Sequence, residues 1–228
     1  MPKDSPVSGV RPGIDEIVVG DAPNAWRAAG FTVDHDDVCR IGTVRVRLVG
    51  RADGKHIRSW ALRGVHVEAG TDDVDGLPTA TATTGATGPA EPAEHENRAR
   101  LIDHVVVATP NTVRTTKALE AIGLEVRRVR DTDPETYGAA LRQTFFRLDE
   151  VILELIGPIE PTGDGPSQFF GLALTVEDLD ALPGRYGEHL GRIKTAVQPG
   201  RRIATLHHRD LDMSVAIAFM DDGAGNVA

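Results

Sequence analysis

The sequence predicts an α+β fold of repeated βαβββ modules, forming curved mixed β-sheets with helices on the outside. Three observations carry this. The order strand, helix, strand, strand, strand is legible from Leu101 to Pro158. The same order returns from Phe169 to Met220. A weaker copy, Gly13 to Gly50, precedes a sharp change of composition at Thr71. A repeat of about 65 residues governs the reading of the whole chain and outranks any single motif.

In chain order, GIDEIVVG (Gly13–Gly20) reads as a short β-branched strand. Asp21 and Pro23 open a helix with Trp26 facing inward, and Gly30 ends it. CRIGTVRVRLVG (Cys39–Gly50) follows as strands, and IRSWALRGVHVE (Ile57–Glu68) is a strand of the kind that begins another module, though no module is read after it. Residues 13–70 therefore form a degenerate module plus an orphan strand. Residues 71–99 are rich in Thr, Ala, Gly, Pro and acids and nearly free of large apolar side chains. Such a segment buries too little surface to offset its ordering entropy and is expected to be a flexible linker.

The remainder, residues 100–222, divides into paired modules at 100–158 and 168–222. LIDHVVVAT (Leu101–Thr109) is a strand bounded by Pro110. Asn111 or Thr112 caps a helix carrying Val113, Leu119 and Ile122, and Gly123 stops it. LEVRRVRD, RQTFFRL and EVILELIGP are three strands separated by turn-forming residues. In the last module FFGLALTV (Phe169–Val176) is a strand, and Asp178 caps a short helix that Pro183 and Gly184 interrupt. RIKTAV, RRIATLHH and MSVAIAFM supply three further strands. Aligned within the chain, GIDE falls on LIDH, and CRIGTVRVRLVG falls on FFRLDEVILELIG with one gap, so that Glu16 takes the place of His104 and Arg47 that of Glu154.

Composition narrows the functional classes. Apolar residues make up 40% of the 228 positions but aromatics only 4%, so the core is built mainly from Val, Leu, Ile and Ala. The formal net charge of −9 argues against a nucleic-acid partner, which calls for surplus Lys and Arg. The basic residues are four lysines and 21 arginines, the latter being bidentate anion binders. The single cysteine, Cys39, excludes an intramolecular disulfide and suits a reducing cytoplasm. On its strand it reads as a small buried hydrophobe rather than a nucleophile. No apolar run approaches a membrane span and none resembles a signal peptide, so no membrane partner is expected.

LIDHVVVAT with its helix, then VILELIGP, then GLALTVEDLDAL resembles the vicinal oxygen chelate superfamily, which includes glyoxalase I, bleomycin-resistance proteins, extradiol dioxygenases and methylmalonyl-CoA epimerase. The resemblance covers Leu101 to Asp221 well and Ile14 to Gly50 loosely. It implies two modules paired into a curved sheet around a cavity, with metal ligands on the first and last strand of each module. Those positions fall on His104 and Glu154 in the middle module. In the last module they fall on Gly171 and near Ala216 to Ala218, which have no donor side chain. The implied cofactor is a divalent Fe, Mn, Ni or Zn ion, with Glu154 as the catalytic carboxylate.

The residues also bear plainer readings. Ile152, Glu154 and Ile156 share one strand face, and a carboxylate inside VILELI is costly unless paired or coordinated. Glu154 is thus a ligand, or it pairs with an arginine, or it faces an open cavity wall. His104 is a ligand or a hydrogen-bonded structural residue. His207 or His208, only one of which can face a cavity, is a third ligand completing a two-His, one-carboxylate set, or lies on a solvated strand end. Arg201 and Arg202, after the Pro199–Gly200 turn, clamp an anionic group of a substrate or form a solvated hairpin turn.

The expected function is that of a glyoxalase-like small-molecule-binding protein. One form is a metal-dependent isomerase, lyase, epimerase or dioxygenase acting on a vicinal-oxygen substrate. The alternative is a metal-free protein that sequesters a ligand or drug. A non-catalytic subunit is the weakest of the three. Open strand edges left by an incomplete module favour a homodimer.

Overall fold

A computed structural model of the chain describes residues 11–68, 70–81 and 89–223. It contains two curved mixed sheets. The first half supplies β1 (Gly13–Val19), α1 (Pro23–Ala28), β2 (Val38–Ile41), β3 (Val44–Leu48), β4 (Ile57–Arg63), β5 (Asp73–Val74) and β6 (Leu77–Thr81). These form a sheet in the order β2-β3-β1-β4-β6-β5.

The second half supplies β7 (Ala99–Ala108), α2 (Thr112–Ala121), β8 (Val126–Asp131), α3 (Pro134–Tyr137), β9 (Leu141–Leu148) and β10 (Val151–Pro158). It continues with β11 (Gln168–Val176), α4 (Leu182–Tyr186), β12 (Lys194–Thr195), β13 (Arg202–Thr205) and β14 (Ala216–Met220). Its sheet order is β12-β13-β14-β11-β7-β10-β9-β8.

The two sheets share one plan. β1 pairs with β3 in parallel and with β4 antiparallel, as β7 pairs with β10 and β11. β4 pairs with β6 in parallel, as β11 pairs with β14. The first sheet is the second without its outermost strands. The strand expected to be an orphan is therefore the opening strand of a shortened module, completed by β5 and β6.

Part of the expected linker is thus built into the sheet, and its residues 82–88 lie outside the described residues. Within residues 71–99, β6 lies along β4, and β5 pairs with β6. Val74 and Leu77 are both buried, and the Trp60 indole N–H donates to the Thr79 hydroxyl at 2.7 Å. The described residues from 89 onward are also tied down: the Ala90 and Ala93 amides donate to Thr43 and Arg40 carbonyls. Because β6 covers β4, the edge that favoured a dimer is occupied within the chain.

Local sequence accounts for most elements. The Asn111 side chain accepts from the Arg114 amide at 3.0 Å and starts α2, while Gly123 adopts φ 97° just past its end. Leu119 and Ile122 of that region are buried, but Val113 is exposed. Asp178 accepts from the Ala181 amide and opens a short 3-10 turn before α4. Asp21 does not cap α1. It is fully buried and receives the Trp26 indole N–H at 3.1 Å and the Ser214 amide at 2.9 Å.

One hydrophobic core runs through both halves, including Ile17, Trp26 and Leu62 of the first and Val105, Leu153 and Phe219 of the second. Each such side chain stabilises the fold by about 1.5–3 kcal/mol. Trp60 packs edge-on against Phe169 across the sheets, with ring centroids 5.1 Å apart. Polar ties reinforce the junction. Glu150 accepts from the Thr43 amide at 2.7 Å, and the Tyr186 hydroxyl donates to the Ala29 carbonyl at 2.8 Å. Asp75 accepts from Arg114 at 2.6 Å and from the Ser167 hydroxyl at 2.8 Å. Cys39 is fully buried, and burial raises its thiol pKa far above the ordinary range.

Candidate functional site

Alternation on the second sheet separates a buried face from a more open one. On β10, Val151, Leu153 and Leu155 are buried, while Ile152, Glu154 and Ile156 are half-buried on the other side. Cross-strand register extends that open face. Glu154 lies opposite Phe145 and beside Val106, and Ile152 lies opposite Arg147 and beside His104. Next along are Gly171 opposite Val106 and Ala173 opposite His104, followed by Ala216 and Ala218. His104 and Glu154 are thus diagonal neighbours on adjacent strands.

A β-bulge shapes this corner. Ala173 pairs with His104 but Leu174 pairs with Ile102, so Asp103 is the extra residue on β7. The bulge lets adjacent side chains meet: Asp103 Oδ1 lies 2.6 Å from His104 Nδ1. The two atoms are close but not in hydrogen-bond alignment, so the contact is electrostatic. Asp103 also holds the Arg201 guanidinium at 2.6 Å and accepts the Thr175 hydroxyl at 3.0 Å. Burial alone would raise the Asp103 carboxyl. The contacts from His104 and Arg201 outweigh that and hold it well below the usual carboxylate range.

His104 is itself buried, and its Nε2 lies 3.0 Å from the Gln198 side-chain nitrogen. An amide nitrogen only donates, so Nε2 accepts and the ring proton sits on Nδ1, beside Asp103. Glu154 accepts a hydrogen bond from Gln143, whose carbonyl oxygen in turn receives Arg130 at 3.0 Å. Burial raises the Glu154 pKa, against opposing contributions from His104, Gln143 and Arg130. On the same face, Arg128 lies opposite Phe145, and both Arg128 and Arg147 are exposed.

Two groups of sequence-predicted site residues lie apart from this pair. His207 does not join His104 and Glu154. β13 ends at Thr205, and His207 lies beyond it on an exposed segment whose amide donates to the His189 carbonyl. Strand alternation no longer applies there. Arg201 and Arg202 are engaged by carboxylates of the chain itself. Arg201 turns inward to Asp103, and Arg202 pairs with Asp180 at 2.9 Å and Asp221 at 2.8 Å. Asp103, Gln143 and Gln198 were not singled out in the sequence. Asp103 had a signal, because both aligned copies carry an aspartate at that position: Ile14-Asp15-Glu16 and Ile102-Asp103-His104.

The fit to a metal can be judged from these donors. Among the described residues no group of three or more His, Cys, Asp or Glu side chains is placed to hold an ion. The last module cannot supply a ligand at its first strand, because a Cβ on Gly171 would come within 2.5 Å of the Ala216 carbonyl oxygen. His104 and Glu154 offer two donors, each already engaged by a glutamine amide. The residues present do not fit an ion held by three or four protein ligands.

The first sheet repeats the geometry with other chemistry. Glu16 lies beside Arg45 and Val18 beside Arg47, the same offset as His104 with Ile152 and Val106 with Glu154. Asp15 is the extra residue of a bulge on β1, as Asp103 is on β7. Arg63 holds Asp15 at 2.6 Å.

No family model matches the sequence, and no curated protein matches it. Among solved structures, a xylose isomerase-like TIM barrel/4-hydroxyphenylpyruvate dioxygenase fusion protein aligns over 98% of this chain and 51% of its own, at 12% identity and a TM-score of 0.57. A methylmalonyl-CoA epimerase aligns over 55% of this chain and 97% of its own, at 20% identity and a TM-score of 0.44. The epimerase from Mycobacterium tuberculosis gives 18% identity and a TM-score of 0.44 over 55% of this chain and 90% of its own. At 12% identity the likeness to the dioxygenase fusion protein is one of fold.

Proposed function

We propose, from the glyoxalase-like, vicinal oxygen chelate fold of this chain as premise, that the concave face of the second sheet binds a small molecule and holds it with protein side chains alone. One observation carries this reading. The middle module places two polar groups, His104 and Glu154, on the open face, while the facing module offers only Gly171, Ala173, Ala216 and Ala218. Small residues clear room where the fold's other ligands would stand. Fold by itself does not select a reaction, so the site must.

Within that cup each group has a defined capacity. Burial pushes the Glu154 carboxyl up from its ordinary value, and in its neutral form it can donate a hydrogen bond. His104 offers Nε2 as an acceptor once Gln198 withdraws. Arg147 and Arg128 can pair with an anionic group on the ligand. Phe145 and Ile156 supply apolar surface. This is the ligand-sequestering form of the expected function.

A divalent-metal enzyme is the second reading, favoured by the Asp103 carboxylate beside His104 Nδ1, an arrangement that raises the basicity of the other ring nitrogen. Such a metal would need further donors from the ligand or from another chain. Elemental analysis of chelator-free protein, beside His104→Ala and Glu154→Ala, separates the readings. Sub-stoichiometric metal, alike in all three, is expected. Near-stoichiometric metal lost in both variants would overturn the metal-free reading. A thermal-shift screen of small carboxylates and apolar drugs then tests the cup, and a hit should weaken in Glu154→Ala.

A further inference from the structure

The chain carries a net charge of −9, yet one cleft reverses that sign. It lies where the loop leading to β4 meets the turn ahead of β14. It encloses about 390 Å³ and is lined by Arg51, Lys55, His56, Arg209, Asp212 and Ser214 among others. Asp212 is its one lining carboxylate, and Arg51 neutralises it at 2.8 Å. Lys55 and Arg209 form no ion pair among the described residues. Two uncompensated cations facing one space repel each other unless an anion is present.

The cleft is also built rather than incidental. Arg51 donates to the Asp212 carbonyl at 2.6 Å, and the His56 amide donates to the Ser214 hydroxyl at 2.7 Å. The Ser214 amide is held by the buried Asp21 at 2.9 Å. Two lining residues, His56 and Asp212, adopt left-handed backbone at φ 66° and φ 55°. Non-glycine residues take that conformation at a cost, and such strain collects where a loop must present its side chains in one way. His56 Nδ1 is 2.7 Å from the Ser214 carbonyl, which can only accept, so Nδ1 carries a proton. That leaves Nε2 to accept from a hydroxyl of a ligand.

We infer that this cleft is an oxyanion site that takes the phosphate group of a small ligand, gripped by Lys55, Arg209 and His56 with Arg51 behind them. Arginine and lysine together, with an imidazole edge beside them, suit a phosphate group. The site stands apart from the cup and does not depend on the function proposed for it.

Calorimetric titration of the full chain at low ionic strength tests this, first with inorganic phosphate and then with phenyl phosphate. Saturable binding is expected. Lys55→Ala and Arg209→Ala should each weaken it about tenfold, the effect of losing one charge-assisted contact. Both residues are exposed and without ion-pair partners, so the variants keep the fold, which circular dichroism checks. Tighter binding of phenyl phosphate identifies a phosphate ester as the ligand; equal or tighter binding of inorganic phosphate identifies the free ion. No saturable heat with either probe, or variants that bind as the wild type does, overturns the inference.

Discussion

Arg47 and Glu16 meet at 2.8 Å in the first sheet, at the register positions that Glu154 and His104 hold in the second. An ion pair stands in one copy where the other presents a carboxylate and an imidazole. The pair lies near the surface, with the Arg47 and Glu16 side chains 40% and 24% exposed. Water therefore screens it, and Arg47→Met should cost less than about 1 kcal/mol by urea denaturation. A loss several times larger would mean that the pair carries the first sheet.

Asp103 should behave in the opposite way. Its carboxylate balances Arg201, and both side chains are largely buried. Asp103→Ala leaves that guanidinium unpaired, at a cost of about 3–5 kcal/mol. The pH dependence has a fixed sign. The folded-state pKa is depressed below its ordinary 3.8, so the stabilisation is complete above that value and is lost as pH falls below it. Acid denaturation curves for wild type and Asp103→Asn should converge as that stabilisation disappears. Curves that stay parallel down to the acid limit would remove Asp103 from this role.

Glu154 has the reverse linkage. Its pKa is raised above the ordinary 4.5 by burial, so the folded state binds its proton more tightly than the unfolded chain does. Stability from this group is full below about that pH and falls as pH rises through the folded value. Glu154→Gln should therefore stabilise the protein at pH 7 and lose that advantage toward pH 4. Its Oε1 can still accept from Gln143. Melting temperatures across this range check the expectation, and a variant less stable than wild type at pH 7 contradicts it.

Gly171→His tests whether the last module can regain a ligand by one substitution. The new Cβ would meet the Ala216 carbonyl oxygen at 2.5 Å and the Ala216 Cβ at 2.9 Å. Backbone must move to admit it, at about 1–3 kcal/mol. The variant should melt lower and take up no more zinc than wild type in equilibrium dialysis. Zinc uptake with an unchanged melting temperature would show that the strand yields easily.

The order of elements was legible because period-two runs and cap residues such as Asn111 act locally. What escaped the sequence depends on contacts distant along it. Residues 71–81 lack bulk, but β5 and β6 are seated by Val74, Leu77, a ladder to β4 and the distant partners of Asp75, none of which composition reveals. The juxtaposition of His104 and Glu154 was implied by the family resemblance, and alternation placed Glu154 with Ile152 and Ile156 on one strand face. The fate of Arg201 was not legible, because it depends on a bulge that brings Asp103 into reach. His207 was misplaced because alternation was carried past Thr205, where the strand stops.

Asp75 has a consequence for the order of synthesis. It lies in the first half, yet its partners Arg114 and Ser167 follow it by 39 and 92 residues. A chain growing from its N-terminus can lay down β1 to β6 but cannot fasten their far edge until Ser167 has emerged. During translation the first sheet is thus a waiting structure with one side unlatched. Pulse proteolysis of stalled chains should find its β5–β6 hairpin cut in chains ending before 167 and protected in longer ones.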